Sequence, residues 1–119
     1  MKLFLAAMAM VFPLSAYSAD MNGQYHGTAS WYQKGTKTAS GQKFNPHKYS
    51  VAHKNLPFGT MLRLTNIKTG ATIDAVVNDR GPFKKGRELD VSRAGAISLG
   101  FFHSGTAKLL IEVLTDLKK

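Results

Sequence analysis

The stretch Val76-Val77-Asn78-Asp79-Arg80-Gly81-Pro82-Phe83 ends an apolar, β-branched run in a single carboxylate, which a Gly-Pro pair follows at once. Residues 71–77 predict a strand. Proline has no N–H for the strand ladder, so the strand must end near Asp79. Asp79 is therefore expected at a strand end or at the mouth of a turn, where catalytic and binding groups are common. The alternative is that Asp79 only caps the turn by accepting hydrogen bonds from nearby backbone N–H groups.

Short strands separated by turns account for most of the remaining chain. The predicted extended segments are residues 25–32, the start of 50–59, 61–66, 71–78, 89–91 and 107–114. Residues 93–99 have apolar residues at helical spacing, with Ser92 as the N-cap and Gly100 as a stop. Residues 33–48 form a long polar loop, and such loops are often functional. The pattern predicts a mainly β fold, a small closed barrel with one short helix, because closure removes the strand edges that so short a chain cannot cover.

The first 18 residues have the layout of a secretory signal peptide. Lys2 precedes an apolar run at residues 3–12, and Pro13 and small residues at 15–19 follow. The run is too short to span a bilayer, and the alternative is a buried N-terminal helix. We expect cleavage after Ser18 and one domain at residues 24–115. Because the chain has no cysteine, neither a disulfide nor a thiol-linked lipid anchor is expected.

The chain is strongly basic, with 16 Lys and Arg residues against 7 Asp and Glu residues and a net charge of +9. Loss of Lys2 with the signal peptide leaves 9 − 1 = +8. Such a charge favours polyanionic partners. Export favours an anionic cell-wall polymer over nucleic acid, and the basic residues lack the clustered stripe of nucleic-acid-binding proteins. The alternative is that the charge only keeps a solvated surface soluble.

Elimination leaves few groups that can carry chemistry. The chain has no cysteine nucleophile and no glycine-rich phosphate loop. Its four histidines lack metal-ligand spacing, so neither a metal nor a cofactor is expected. Among the acidic residues, Asp74 is expected to face solvent, and Asp79 is better placed for acid–base work than Glu88 or Asp90. Asp90 is expected to satisfy backbone N–H groups at the start of the helix.

Three further side chains have open interpretations. His53 follows two small apolar residues, and a lone histidine is more often a hydrogen-bonded structural residue than a catalytic one. Trp31 and Tyr32 belong to the core or form a platform on which a sugar ring stacks. The core role is favoured for at least one of them, because aromatic side chains mostly become buried.

An ordered set of short motifs resembles the rare lipoprotein A family. The motifs are GTASWY at 27–32, TASG at 38–41, AHKNLPFGT at 52–60, VNDRGPF at 77–83, RELDVSRA at 87–94 and LG at 99–100. Together they run through essentially all of residues 25–114. The resemblance implies a six-stranded double-psi β-barrel, related to the expansin and barwin folds.

The resemblance also implies a function. That function is lytic transglycosylase activity on the β-1,4 bond between N-acetylmuramic acid and N-acetylglucosamine of peptidoglycan. The expected product is a 1,6-anhydromuramic acid end, and the preferred substrate is a strand stripped of stem peptides. By motif position, Asp79 corresponds to the catalytic carboxylate of the family and His53 to its site histidine. The residues expected to contact substrate are Gln42, Trp31, Tyr32 and Arg80.

The sequence departs from the family pattern in three ways. Gln42 stands where the family usually has a glutamate, which removes a second carboxylate that a two-carboxylate hydrolase needs. The lipobox cysteine and a C-terminal peptidoglycan-binding repeat domain are missing, so a monomer without a stable membrane anchor is expected in the periplasm or outside the cell. The alternative function is a non-catalytic, expansin-like module that binds glycan strands. A secreted effector that acts on a competitor's cell wall is a third interpretation.

Overall fold

The computed structural model describes residues 23–32, 38–43, 45 and 47–114. Within them the elements are β1 (Gln24–Tyr32), β2 (Ser50–His53), β3 (Met61–Asn66), β4 (Thr72–Asp79), β5 (Leu89–Ser92), α1 (Arg93–Leu99) and β6 (Thr106–Val113). The signal peptide predicted at residues 1–18, and the last residue of the domain predicted at 24–115, lie outside the described residues. In the described part of the chain, no helix is both long and apolar enough to cross a bilayer.

The strands close into a barrel in the order β1-β5-β2-β4-β3-β6, and β6 pairs back onto β1. Two pairs are parallel, β1 with β5 and β2 with β4, and the antiparallel pair of β2 with β5 joins them. Among the strands of the described residues, β3 and β4 alone are consecutive in the sequence and also paired, and they form a hairpin. The mainly β fold predicted from the sequence, a small closed barrel with one short helix, is confirmed over the described residues.

The core fills the barrel with alternate residues of the strands. In β3, Leu62 and Leu64 are fully buried, whereas Arg63 between them is exposed. The same alternation buries the inward residues of β4 and β6, which are Ile73, Ala75, Val77, Leu109 and Ile111. Burial of each large aliphatic side chain contributes about 1.5–3 kcal/mol. These strands were predicted from their alternation, and the prediction is confirmed.

Helix α1 begins and ends at the residues that the sequence indicates. The Ser92 hydroxyl accepts a hydrogen bond from the backbone N–H of Gly95, as an N-cap does. Gly100 adopts the left-handed conformation at φ 83°, and its N–H donates to the carbonyl oxygen of Ile97. The helix packs against β1, β4 and β5, with Leu99 fully buried.

Strand β4 ends at the rim of the barrel. Gly81 lies in the left-handed region at φ 120°, where glycine is favoured, and the peptide bond to Pro82 is cis. Gly81 and Pro82 are buried, whereas 86% of Phe83 is exposed. The buried Gly-Pro pair therefore follows closely on the end of β4, where Asp79 is half-buried.

Candidate active site

The register of four neighbouring strands places two carboxylates in one row. Asp79 pairs with Ala52, Ala52 with Asp90, and Asp90 with Ser30. A register shift within β2 brings Asp79, rather than Asn78, opposite Ala52. Paired residues of neighbouring strands project from the same face. Asp79 and Asp90 therefore share a face, two strand spacings or about 10 Å apart at their Cα atoms.

The Asp79 carboxylate uses one oxygen to hold the loop before β2. Its Oδ1 accepts hydrogen bonds from the backbone N–H of Arg80 at 2.9 Å and from that of Ala39 at 2.8 Å. Asp79 therefore does cap its own turn, the role that the sequence left as an alternative. Its Oδ2 accepts no hydrogen bond from the described residues, and the Asp79 residue is half-buried.

The Arg80 guanidinium points away from Asp79. Its Nη1 donates to the carbonyl oxygens of His53 at 3.2 Å and Leu56 at 2.8 Å. The guanidinium also lies 4.0 Å from the ring centroid of Phe58, a cation–π contact. Arg80 follows the last residue of β4, and these contacts hold its side chain on the turn after β2. Arg80 thus holds the turn after β2, and its predicted contact with substrate stays a prediction.

His53 is buried, with 7% of its surface exposed, and both of its ring nitrogens are bonded. Nδ1 accepts from the backbone N–H groups of Asn55 and Leu56, each at 3.1 Å. Nδ1 must then be unprotonated, so Nε2 carries the proton and donates to the Tyr25 hydroxyl at 2.8 Å. Burial lowers the pKa of His53, and the positive charge of Arg80 adds to this effect while Glu88 opposes it. These contacts favour the structural interpretation of His53 over a catalytic one.

Tyr32 is the predicted aromatic residue that lies nearest to the carboxylates. Burial raises the pKa of Tyr32 to about 12, a hydrogen bond with the Ser50 side chain opposes the rise, and the charges of Asp79 and Asp90 add to it. The Tyr32 hydroxyl therefore keeps its proton at any physiological pH. This neutral hydroxyl lies near two acidic side chains and is suited to hydrogen bonding. Most of the Tyr32 ring is buried in the protein.

Trp31 belongs to a different aromatic cluster. Its ring stacks on Phe102 with the centroids 4.6 Å apart, and its Nε1 donates to the carbonyl oxygen of Phe102 at 3.0 Å. Trp31 also packs against the buried core. Of the two roles that the sequence left open, the structure favours the core role for Trp31.

Gln42 lies in a tight turn that rests on the end of β4. The N–H of Thr38 donates to the carbonyl oxygen of Gln42 at 2.8 Å, and the N–H of Ser40 donates to that of Asn78 at 3.3 Å. The exposed Gln42 side chain lines a cavity of about 660 Å³ together with Asn78. The turn therefore brings Gln42 to the same strand end as Asp79, beside the preceding residue of β4, Asn78.

The prediction for Asp90 is wrong. The N–H group at the start of α1 is satisfied by Ser92, and the Asp90 carboxylate instead accepts a hydrogen bond from the Ser30 hydroxyl of β1. Asp90 lies within β5, and the register of β5 with β1 and β2 places it in the same row as Asp79. The sequence reasoning missed this second carboxylate because its position depends on pairing between distant strands.

Two exposed phenylalanines beside the site were also missed. Phe83 follows Asp79 by four residues, and 86% of its surface is exposed. Its ring lies against Gly81. Phe58 is 38% exposed under the Arg80 guanidinium. Phe83 is the most exposed of the large apolar side chains among the described residues. A phenylalanine directly after a Gly-Pro breaker was the available sequence signal.

The assembled site is suited to acid–base chemistry. It has an anchored carboxylate with one open oxygen, a protonated tyrosine hydroxyl and a second carboxylate in the same row. Among the described residues, no group of three or more histidine or acidic side chains is placed to hold a metal ion. One carboxyl group can donate and accept a proton in turn without a metal.

Comparison with known proteins identifies the family. A double-psi β-barrel family described as "Lytic transglycolase" matches residues 24–111. The chain belongs to this family. Curated relatives named RlpA are 44% and 47% identical to most of the chain, so the resemblance seen in the sequence is confirmed, and with it the double-psi form of the barrel.

Two curated relatives place the chain more closely within the transglycosylase family. A probable endolytic peptidoglycan transglycosylase RlpA of Aquifex aeolicus is 47% identical over 91 residues, which cover 74% of this chain and 40% of the relative. The corresponding protein of Nostoc sp. is 44% identical over 95 residues, or 76% of this chain and 26% of the relative. The chain thus spans between about a quarter and two fifths of their length.

An expansin of Clavibacter michiganensis has a similar fold. Its crystal structure superposes with a TM-score of 0.63 at 24% identity, covering 78% of this chain and 51% of the expansin. The likeness concerns the barrel architecture alone.

Proposed function

We propose that this protein is a lytic transglycosylase that cleaves peptidoglycan glycan strands. The bond is the β-1,4 bond between N-acetylmuramic acid and N-acetylglucosamine, the product is a 1,6-anhydromuramic acid end, and strands without stem peptides are preferred. The half-open Asp79 carboxylate carries the proposal, because its Oδ1 is fixed by two backbone N–H groups while Oδ2 is open. The names of the curated relatives support the substrate and the reaction class.

A single carboxyl group suffices for both steps. Asp79, protonated on Oδ2, donates its proton to the glycosidic oxygen as the bond from the muramic acid C1 to that oxygen breaks. The resulting carboxylate then takes the proton of the muramic acid C6 hydroxyl while the C6 oxygen bonds to C1. Water does not enter, and Asp79 ends in its starting state. A glutamine at position 42 is compatible with this reaction, because no second carboxylate is required.

The surrounding residues bind and orient the sugar. The buried Tyr32 hydroxyl keeps its proton at neutral pH and adds no negative charge beside Asp79. The exposed Phe83 ring stacks on a pyranose face beside the scissile bond. Gln42 contacts the strand from the turn that Asp79 anchors. His53 holds the β2 turn on which Arg80 and Phe58 rest.

The proposed setting is the periplasm or the cell exterior, where peptidoglycan strands are the partner and the protein acts as a monomer. The positive charge of the chain supports attraction to an anionic wall polymer. Such attraction is screened by salt, so binding to isolated sacculi is expected to weaken as ionic strength rises.

The deciding experiment compares Asp79→Asn with the wild type on amidase-treated strands and on intact sacculi. The asparagine Oδ1 can still accept from Ala39 and Arg80, so the loop stays anchored and only the proton carrier is lost. We expect 1,6-anhydromuramic ends by mass spectrometry from the wild type, more of them from naked strands, and a loss of two or more orders of magnitude in the variant, the scale of a lost general acid–base.

Asp74→Asn is the matched control. It makes the same change in the same strand at an exposed residue paired with Arg63, so it is expected to cleave as the wild type does. If Asp79→Asn cleaves as well as the wild type, the assignment of Asp79 is wrong. If the products are reducing ends instead of anhydro ends, water is the nucleophile and the enzyme is a hydrolase that uses the Asp79 and Asp90 row.

The second candidate is a non-catalytic glycan-binding module, and Gln42 in place of a glutamate favours it. Such a module would bind strands in the same groove without releasing fragments. The variant Gln42→Glu discriminates the two functions. Wild-type protein that binds strands but releases nothing, together with cleavage gained in Gln42→Glu, identifies a binding module.

A further inference from the structure

The polar cavity that Gln42 lines adjoins the candidate active site, on the outer face of β2 and β4. Its volume is about 660 Å³, within the range of small-molecule sites. Asn78 and Val76 of β4 and Ser50 of β2 form its floor, and the turn that carries Gln42 and Lys43 forms one wall. Because side chains alternate along β4, Asn78 projects from the face opposite to Val77. Ala52 and Asp90 likewise alternate with the buried residues beside them, so the row that contains Asp79 lies on the same outer face, and the cavity adjoins that row at Asn78, the residue before Asp79.

Asn78 has unused hydrogen-bonding capacity. The residue is 8% exposed, and its Oδ1 is buried with no hydrogen-bond partner among the described residues. A buried polar atom left unpaired costs about 1–3 kcal/mol, so an unpaired amide at the floor of a cavity indicates a missing partner. An amide both donates and accepts, and the acetamido group of an N-acetylated sugar offers one N–H and one carbonyl in return.

The cavity is also positively charged. Lys43 and Lys48 line it, both are exposed, and neither forms an ion pair with a described residue. No acidic residue is among its described lining residues. Two unneutralised ammonium groups favour an anionic ligand group.

We propose that this cavity is a subsite for an N-acetylated sugar that carries a carboxylate. The acetamido group pairs with Asn78, and the carboxylate lies between Lys43 and Lys48. This inference rests on the proposed function, which supplies peptidoglycan as the substrate. In peptidoglycan the acetamido group is on C2 of muramic acid and the lactyl carboxyl group is on the adjacent C3. The lactyl group is charged only when no stem peptide is attached, so the subsite selects strands without stem peptides.

The test measures binding and needs no cleavage, so a failed transglycosylase assay does not affect it. The chain carrying Asp79→Asn is titrated by calorimetry with three short glycans of alternating N-acetylglucosamine and N-acetylmuramic acid. In the first the lactyl carboxyl groups are free, in the second they are carboxamides, and in the third they carry L-alanine. We expect the free acid to bind about tenfold more tightly than the carboxamide.

The variant Lys43→Gln/Lys48→Gln is expected to remove this tenfold preference and leave the carboxamide affinity unchanged. The control Lys68→Gln/Lys108→Gln removes the same charge from exposed residues outside the cavity lining and is expected to keep the preference. Asn78→Leu is expected to weaken binding of both glycans, and a thermal melt first verifies that it folds.

Three results would overturn the proposal. Equal affinity for the free acid and the carboxamide would show that the cavity does not recognise the lactyl carboxylate. Equal losses in the cavity variant and the control show that only net charge acts. If the L-alanine form binds equally tightly, the lysines bind the carboxylate of the peptide, and the proposal that they recognise the lactyl carboxylate is wrong. The lysine variants alter exposed side chains, so these outcomes are readable even if Asn78→Leu does not fold.

Discussion

The His53 ring makes the stability of the fold sensitive to mild acid. Nδ1 accepts two backbone N–H groups only while His53 is neutral, and burial lowers the pKa of His53 below its ordinary value of 6.5. As pH falls below 6.5, the unfolded chain therefore binds the proton before the folded chain does. The stability that neutral His53 contributes is complete above that pH and is lost as pH falls toward the lowered pKa. The slope has an upper limit of about 1.4 kcal/mol per pH unit.

Substitution of His53 separates its contacts from its titration. His53→Ala removes three hydrogen bonds, which at about 1 kcal/mol each predicts a loss of about 3 kcal/mol in the free energy of unfolding at pH 7.5. In His53→Asn, the side-chain oxygen can accept from the N–H groups of Asn55 and Leu56 as Nδ1 does. We therefore expect His53→Asn to lose only about 1–2 kcal/mol and to have no titration of its own.

The assay is urea unfolding followed by the fluorescence of Trp31, the single tryptophan, at several pH values from 7.5 to 5. The difference between wild type and His53→Asn isolates His53, because the other titratable residues are common to both. We expect this difference to shrink as pH falls. A constant difference would refute the neutral, doubly bonded state of His53. Loss of cleavage in His53→Asn without loss of stability would instead make His53 catalytic.

Three further predictions concern the helix cap, helix packing and the exposed ring. Ser92→Ala loses the cap and leaves two further backbone partners of the hydroxyl unpaired, the buried N–H of Ser50 and the part-buried carbonyl of Lys48. Urea unfolding should therefore register a loss of about 2–4 kcal/mol; a loss under 1 kcal/mol contradicts this. Gly95→Ala would place Cβ 2.4 Å from Cγ1 of Val91, and overpacking should outweigh the helix gain by about 1–2 kcal/mol. The background Val91→Ala removes the clash and should turn the substitution stabilising. Phe83→Ala should leave the melting temperature unchanged and weaken glycan binding in calorimetry, and unchanged binding would exclude stacking.

Much of the fold follows from local sequence patterns. The alternation of Leu62, Arg63 and Leu64 is enough to predict a half-buried strand, because side chains of a strand alternate between its two faces whatever the partner strand is. Ser92 and Gly100 bound the helix through contacts within one turn of it. The end of β4 at Asp79 follows from the next three residues, because proline cannot continue a ladder.

Most of the candidate site depends on contacts between distant segments. Asp90 was assigned to the helix because it precedes Ser92 in the chain, but its direction is set by β5, which pairs with β1 and β2. His53 looks the same in the sequence whether its ring is free or bonded, and only the folded turn brings the two N–H groups to Nδ1.

The sequence by itself determined the strands, the helix and their ends, the position of Asp79 at a strand end and the resemblance to a transglycosylase family. Only the tertiary structure decided the parallel pairing of β1 with β5 and of β2 with β4, the common row of Asp79 and Asp90, and the two backbone N–H groups that donate to Oδ1 of Asp79. The physical reason is the range of the interactions. Alternation and capping act within a few residues, whereas strand order and register arise from hydrogen bonds between segments far apart in the chain, and a shift of one residue turns a side chain to the other face.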